Sequence, residues 1–395
     1  MSETPIDQSL QKIRFLFRIS GITIDDRQKS WKEVAIYLFH FVWIGTDLVL
    51  GINWLYEGVS KGLQFTELTY VMPCFTLGLV AEFKTIFFVR NEKKILKLIK
   101  TLRLLEEIKI SNNPLERKMV KRETMILGTL IKVLITVNGI LLMMFNLGPL
   151  ILTGVKFFMT GELELYLPFL DIYPFDSYDL KYWPYAYIHE VWTSCIVLTD
   201  IFAVDFFFYI CCTHIKIQFK CLQRELEQLI PGTGLEIDDD VREKLNELVK
   251  WHQDIISMSD LLEVIYSKST LFNYISSSVI ICLAGFDVTV IQDIAIVITF
   301  ATITLVGMLQ IFFLCFFGDM LMKSSTEVST AAYNCRWYIA DIPTRKTILL
   351  MQTRAQEPCK ITAAGFADVN LRAFMKIIST SWSYFALLQT IYGSL

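Results

Sequence analysis

Residues 374–395 read FMKIISTSWSYFALLQTIYGSL. The run is apolar enough for a membrane helix, yet hydroxyl groups recur through it. Every third or fourth residue gives Lys376, Thr380, Ser383, Leu387, Thr390 and Ser394, so five of six positions along one helical face are polar. Phe374, Ile377, Ile378, Trp382, Phe385, Leu388 and Ile391 occupy the other faces. Polar groups facing hydrocarbon are unfavourable, so the stripe is expected to face protein or water. Two readings stay open. In one, the hydroxyls bond their own i−4 carbonyls and the small residues permit close helix contacts. In the other, the stripe lines a pore with Leu387 as a dewetting constriction. One amphipathic helix cannot enclose a pore, so the second reading requires several subunits around an axis.

The rest of the chain supplies the membrane context. Of 395 residues, 53% are hydrophobic and 19% charged, against roughly a quarter charged in soluble domains. This is the composition of an all-α, polytopic membrane protein. A span needs about 20 mostly apolar residues. Seven candidates result: 33–56, 66–90, 124–155, 184–212, 265–286, 290–317 and 370–392. The third and fourth are long enough to project beyond the bilayer. The first 20 residues lack the apolar core and cleavage site of a signal peptide, so the first span is expected to direct insertion.

Lys and Arg in the connections orient these spans. Lys12, Arg14, Arg18, Arg27 and Lys29 precede span 1, and ten basic residues from Lys93 to Arg122 separate spans 2 and 3. The 4–5 and 6–7 connections are also basic. The 1–2 loop carries only Lys61, and in the 3–4 loop acidic groups such as Asp171 outnumber Lys156 and Lys181. The N-terminus is therefore expected in the cytoplasm and the C-terminus outside. This is the reverse of a G-protein-coupled receptor, and the Asp-Arg-Tyr and Asn-Pro-x-x-Tyr motifs of that class are absent.

The inner connections read as helices. After Pro231 and Gly232, Asp residues suit a helix N-terminus, and Val241, Leu245, Leu248, His252, Ile255 and Leu262 follow at helical spacing into span 5. The segment KKILKLIKTLRLLEEIKI after span 2 is amphipathic too. Such faces need partners, which favours a packed helical anchor layer in the cytoplasm. Asp47, Glu82, Lys84, Asp200 and Asp205 fall inside apolar runs. They read either as an ion path or relay, or as contacts between helices with Lys84 snorkelling. The nine cysteines form no CxxC and read as packing residues. No enzyme motif, cofactor fingerprint, metal-ligand set or basic run for nucleic acid is present.

The C-terminal third resembles the insect odorant receptor family. In FFGDMLMKSSTEVSTAAYNCRWY, residues Gly318, Asp319, Ser325, Val328, Ala331, Tyr333 and Trp337 occupy the places of the family's signature after span 6. Pro358, Cys359, Ala363, Phe366, Leu371, Ser383, Tyr384 and Phe385 are similar to its closing motif. The outer segment LPFLDIYPFDSYDLKYWPYAYIHEVW resembles the loop leading into span 4.

The resemblance implies an odorant-gated, non-selective cation channel in the dendritic plasma membrane of olfactory sensory neurons. It implies a hetero-tetramer in which an odour-tuning subunit assembles with a shared co-receptor. This chain resembles the tuning subunit, because it lacks the co-receptor's insertion between spans 4 and 5. The division implied is 1–317 for six spans with the odorant pocket, 318–369 for the cytoplasmic anchor and 370–395 for the pore helix. The family's gate falls on Leu387, beside Ser383, Thr390 and Ile391, while Lys376 departs from the family's pattern. The family's pocket lies in the outer half of spans 2, 3, 4 and 6. Depth and side-chain type there select Tyr70, Met72, Phe75, Phe145, Asn146, Trp192, Cys195, Thr199, Phe300 and Thr304, apolar walls with a few polar groups suiting a small volatile. A gustatory-receptor-like channel is the alternative, and its closing motif is absent.

Overall fold

The computed structural model describes residues 4–24, 30–63, 65–109, 114–169, 173–230, 239–291 and 294–392. Arg27, Lys29, Asp171, Pro231, Gly232 and Ser394 lie outside them. The elements are α1 (Pro5–Gln11), α2 (Arg14–Ile19), α3 (Trp31–Lys61), α4 (Phe65–Thr69), α5 (Met72–Arg90), α6 (Glu92–Lys109), α7 (Pro114–Thr160), α8 (Trp183–Glu227), α9 (Asp239–Val290), α10 (Ile294–Asn334), α11 (Ile342–Gln356) and α12 (Leu371–Tyr392). A single 3-10 turn, Trp337–Ile339, precedes α11. Among the described residues the only β pairing is one isolated bridge, Thr362 to Asp368.

Local chemistry sets several helix ends. Ser30 and Glu33 form a capping box at the start of α3, where the Ser30 N–H donates to Glu33 Oε2 at 3.1 Å. Gly62 closes the same helix at φ 69, a left-handed cap that glycine adopts without Cβ strain. Asp341 caps α11 by accepting from the Thr344 N–H at 3.3 Å.

Among the described residues, six helices are long and apolar enough to cross a membrane: α3, α4–α5 from Glu67, α7, α8, α9 and α10. The seventh, α12, occupies the place expected for the last span but is less apolar. Ser379, Thr380, Ser381, Ser383, Gln389 and Thr390 dilute its hydrocarbon. α9 has 52 residues and α8 has 45, so they extend about 78 and 68 Å at 1.5 Å per residue. Both overshoot the roughly 30 Å hydrocarbon core. The helix expected to run straight into span 5 is the first half of α9.

Burial separates central from peripheral spans. In its most apolar window α8 is 78% buried, whereas α3 is 17% and α7 28% buried. The largest hydrophobic cluster joins α1, α2 and α6 to one end of α5, α7, α8, α9 and α10, together with α11. Phe206, Phe207, Phe208 and Phe219 of α8 are fully buried in it. A second cluster (Ile44, Val80, Ala81, Ile196, Val197, Ile201) ties α3, α5 and α8 together further out. A third (Ile280, Ala284, Phe300, Ile303) ties α9 to α10. The end that carries α1, α2, α6 and α11 is thus densely packed, and the opposite end is split into clusters with space between them. All nine cysteines are free, and seven are buried.

The ionisable groups within spans resolve differently. Lys84 does not snorkel. Its Nζ contacts Asp205 Oδ1 at 2.6 Å and Oδ2 at 2.8 Å, with side chains 3% and 2% exposed. α5 turns Lys84 toward α8, where Asp205 supplies its counter-charge. Glu82 and Asp200 are buried between α5 and α8, and His252 packs edge-on against Phe219 at 6.3 Å.

Candidate ligand cavity and final helix

The space between the outer clusters is a cavity of about 560 Å³. α3 contributes Asp47 and Gly51; α5 and the residues before it contribute Tyr70, Val71, Cys74 and Phe75. α7 supplies Met144, Phe145 and the stretch around Pro149, and α10 supplies Ile298, Thr299 and Phe300. The outer segment between α7 and α8 closes one side with Leu165–Phe169 and Tyr178. A smaller cavity of about 60 Å³ lies against it, lined by Thr193, Ser194 and Val197 of α8 and Ile303 and Val306 of α10. The two share Asp47, Cys74, Phe145 and Phe169. The rings of Phe145 and Phe169 stand 5.4 Å apart at the junction.

Of the ten residues selected from the sequence, Tyr70, Phe75, Phe145 and Phe300 line the larger cavity. Tyr70 and Phe300 face one another with ring centroids 6.0 Å apart. Asn146 turns toward α8, accepting a hydrogen bond from Ser194 Oγ at 2.9 Å, and its carbonyl accepts from Tyr187 Oη. Met72, Cys195, Thr199 and Thr304 are half-buried and off both cavity walls. Thr199 and Thr304 donate to their own i−4 carbonyls, on Cys195 and Phe300. Trp192 points outward, 46% exposed, with its ring beside His40. Adjacent residues of a helix differ by about 100° in direction, so the α8 wall falls on Thr193, Ser194 and Val197 instead. The sequence marked Asp47 as an ionisable group within a span and the outer segment as similar to a family loop, but assigned neither to the cavity wall. For the outer segment the signal was the aromatic density of residues 165–187.

The outer segment is fastened to α8. Glu190, fully buried, accepts from the Phe169 N–H at 2.8 Å through Oε2 and from Tyr173 Oη at 3.3 Å through Oε1. Tyr173 Oη also meets His189 Nδ1 at 3.1 Å, and the His189 ring stacks on Trp43 of α3. Trp183 Nε1 donates to the Tyr166 carbonyl at 3.0 Å. Among the described residues, no group of acidic, His and Cys side chains is arranged to hold a metal.

α12 packs against α9 and α10 through Phe374, Ile377, Ser381, Phe385, Leu388 and Tyr392, which are buried or half-buried. Ser381 Oγ donates to the Ser278 carbonyl of α9 at 3.3 Å. At its outer end the Tyr392 ring stacks on Phe65 of α4, 4.4 Å between centroids. The stripe read from the sequence lies on the other side. Lys376, Ser383, Leu387 and Thr390 are exposed and Thr380 half-exposed, with Ile391 exposed beside them. Ser383 and Thr390 donate to the carbonyls of Ser379 and Ala386, at 2.9 and 2.8 Å. Their hydrogen bonding is therefore met within the helix, leaving the face itself available.

The family model described as 7tm Odorant receptor matches residues 64–382. The chain belongs to the odorant receptor family. It is a multi-pass membrane protein of a receptor family, not an enzyme family. The odorant receptor is 28% identical over 364 residues to Odorant receptor 67c of Drosophila melanogaster, covering 88% of this chain and 86% of that one. Odorant receptor 85c of the same species is 25% identical over 395 residues, covering 95% and 96%. The fold is similar to the insect olfactory receptor OR5 from Machilis hrabei, solved alone and in complex with eugenol. The complex superposes with a TM-score of 0.81 at 19% identity over 98% of both chains.

Proposed function

We propose that this odorant receptor is the odour-tuning subunit of a ligand-gated, non-selective cation channel, assembled as a hetero-tetramer with the co-receptor. In this reading it sits in the dendritic plasma membrane of olfactory sensory neurons, N-terminus inside and C-terminus outside. Residues 1–317 hold the odorant pocket, 318–369 form the cytoplasmic anchor and 370–395 form the pore segment. One observation carries the proposal: an apolar cavity sized for a small molecule stands in the same subunit as a final helix on which Ser383, Leu387 and Thr390 are exposed along one face among the described residues. Ligand pockets run from about 300 to 1,000 Å³, and 560 Å³ falls within that range.

Tyr70, Phe75, Phe145 and Phe300 are the proposed odorant contacts, and Asn146 supports the wall from behind. Met72, Trp192, Cys195, Thr199 and Thr304 act on tuning through packing, since they lie off both cavity walls. Four copies of α12 around an axis would turn Ser383, Thr390 and Ile391 to the pore, with Leu387 as the constriction. Odorant binding favours a state in which Leu387 leaves the axis, which requires tighter binding to the open form.

The test is whole-cell recording from cells expressing the chain with and without an insect co-receptor, with G-protein signalling blocked. Eugenol, bound by the Machilis receptor, is the first ligand to apply. Cation currents only in the presence of the co-receptor are expected. In Leu387→Ala a standing leak at zero odorant is expected. Unchanged leak and unchanged odour currents in that variant would remove Leu387 from the gate.

A further inference from the structure

Phe169 borders both cavities, as do Asp47, Cys74 and Phe145, and its ring stands 5.4 Å from that of Phe145. No span carries Phe169. It belongs to the outer segment, whose backbone has no helix or sheet to fix it at this point. Its N–H is instead held by Glu190, from the second turn of α8. A fully buried carboxylate is costly unless its oxygens are hydrogen-bonded, and each Glu190 oxygen accepts from this segment, at Phe169 and at Tyr173. Neither bond reaches a cavity-facing side chain, so the carboxylate acts on the backbone that places the ring.

We propose that Glu190 is a specificity-determining positioning residue: by holding the Phe169 backbone it keeps the two cavities apart and so limits the length of ligand the receptor accepts. The inference rests on the reading of the cavity as the odorant site. It commits the intact receptor to compact, largely apolar, neutral ligands confined to the larger cavity. When the bond is lost, Phe169 withdraws and the smaller cavity, with Thr193 and Ser194 on its wall, joins the larger. A ligand can then extend into it.

The experiment uses the full-length receptor, purified, with straight-chain primary alcohols of increasing length. Ligand binding is read as thermal stabilisation, separately from any current. The intact protein should show a length beyond which stabilisation falls away. Glu190→Ala and Phe169→Ala should both move that limit to longer alcohols, with roughly fourfold tighter binding for each added methylene that is newly accommodated. Short alcohols should bind about as before in Glu190→Ala, whose side chain lines neither cavity; in Phe169→Ala, which removes part of the wall, only the position of the limit is read. Glu190→Gln, which keeps an acceptor oxygen for the Phe169 N–H, should retain the original limit. If Glu190→Ala fails to fold, Phe169→Ala and Glu190→Gln decide the matter on their own.

An unchanged limit in the variants overturns the proposal while leaving the cavity as the odorant site. An equal loss across all lengths also overturns it, because Glu190 would then be structural only. No stabilisation of the intact protein by any alcohol overturns both the proposal and the cavity assignment. A shifted limit with no odour current in cells that also express the co-receptor supports the proposal and instead removes the channel reading.

Discussion

Lys84→Met removes the ammonium from an ion pair buried at the junction of α5, α8 and α10. Both oxygens of Asp205 lie within 2.8 Å of Lys84 Nζ, and Gln310 Nε2 donates to Oδ2 at 3.0 Å. Neither charged side chain is more than 3% exposed. Methionine reproduces the shape of the lysine stem, so the packing loss is small and the dominant cost is an uncompensated carboxylate. Removing one partner of such a pair costs about 3–5 kcal/mol. Replacing both, in Lys84→Met/Asp205→Leu, removes the stranded charge and leaves only Gln310 without its acceptor, about 1–3 kcal/mol. The double variant is therefore expected to be more stable than the single one, although it departs further from the native sequence. The assay is thermal unfolding of detergent-solubilised protein, followed by the fraction that remains monodisperse. Wild-type stability in Lys84→Met, or a double variant less stable than both singles, would refute the account of a desolvated pair holding three spans together.

Three further outcomes are expected. Gly318→Ala should abolish surface expression, because a Cβ there would overlap the Val369 carbonyl, a backbone atom that cannot swing aside; an antibody count on intact cells measures it. Ser194→Ala should leave Asn146 Oδ1 without its donor and lower the unfolding temperature by an amount equivalent to about 1 kcal/mol, with no new leak current. The hydrogen bond from Thr344, aided by the Arg242 guanidinium, holds the Asp341 carboxyl below the usual carboxylate range. Its stabilising effect is present above the unfolded carboxylate pKa and lost as pH falls through the lower folded value. Asp341→Asn should thus be less stable than wild type at neutral pH, and the two melting temperatures should converge on acidification below about pH 4.

The signature residues that carried the family resemblance have packing roles the sequence did not express. Gly318 and Ser325 lie on α10, 34 or more residues before the segment they meet. Gly318 allows Val369 to approach, and Ser325 Oγ accepts the Cys359 N–H at 2.9 Å. The two motifs, read separately along the chain, are the two sides of one contact. Similarly, Glu263 of α9 accepts from both the N–H and the hydroxyl of Thr362. The polar pattern was legible, but pairings across 34 to 121 residues were not.

What the sequence by itself determined was local and periodic. Apolar length set where membrane helices stand, helical spacing carried the first half of α9 directly into a span, and the three-and-four pattern put Ser383, Leu387 and Thr390 on one face of α12. These properties depend on neighbours within a turn or two, so one chain read in order contains them. The tertiary structure alone decided how each helix is rotated about its axis against the others. A rotation of about 100° exchanges one residue for the next, which is why the α8 wall is Thr193, Ser194 and Val197 and why Trp192 faces outward. It alone also brought Lys84 to Asp205 and Glu190 to Phe169, because hydrogen bonds in a dry interior go to whichever partner the packing delivers.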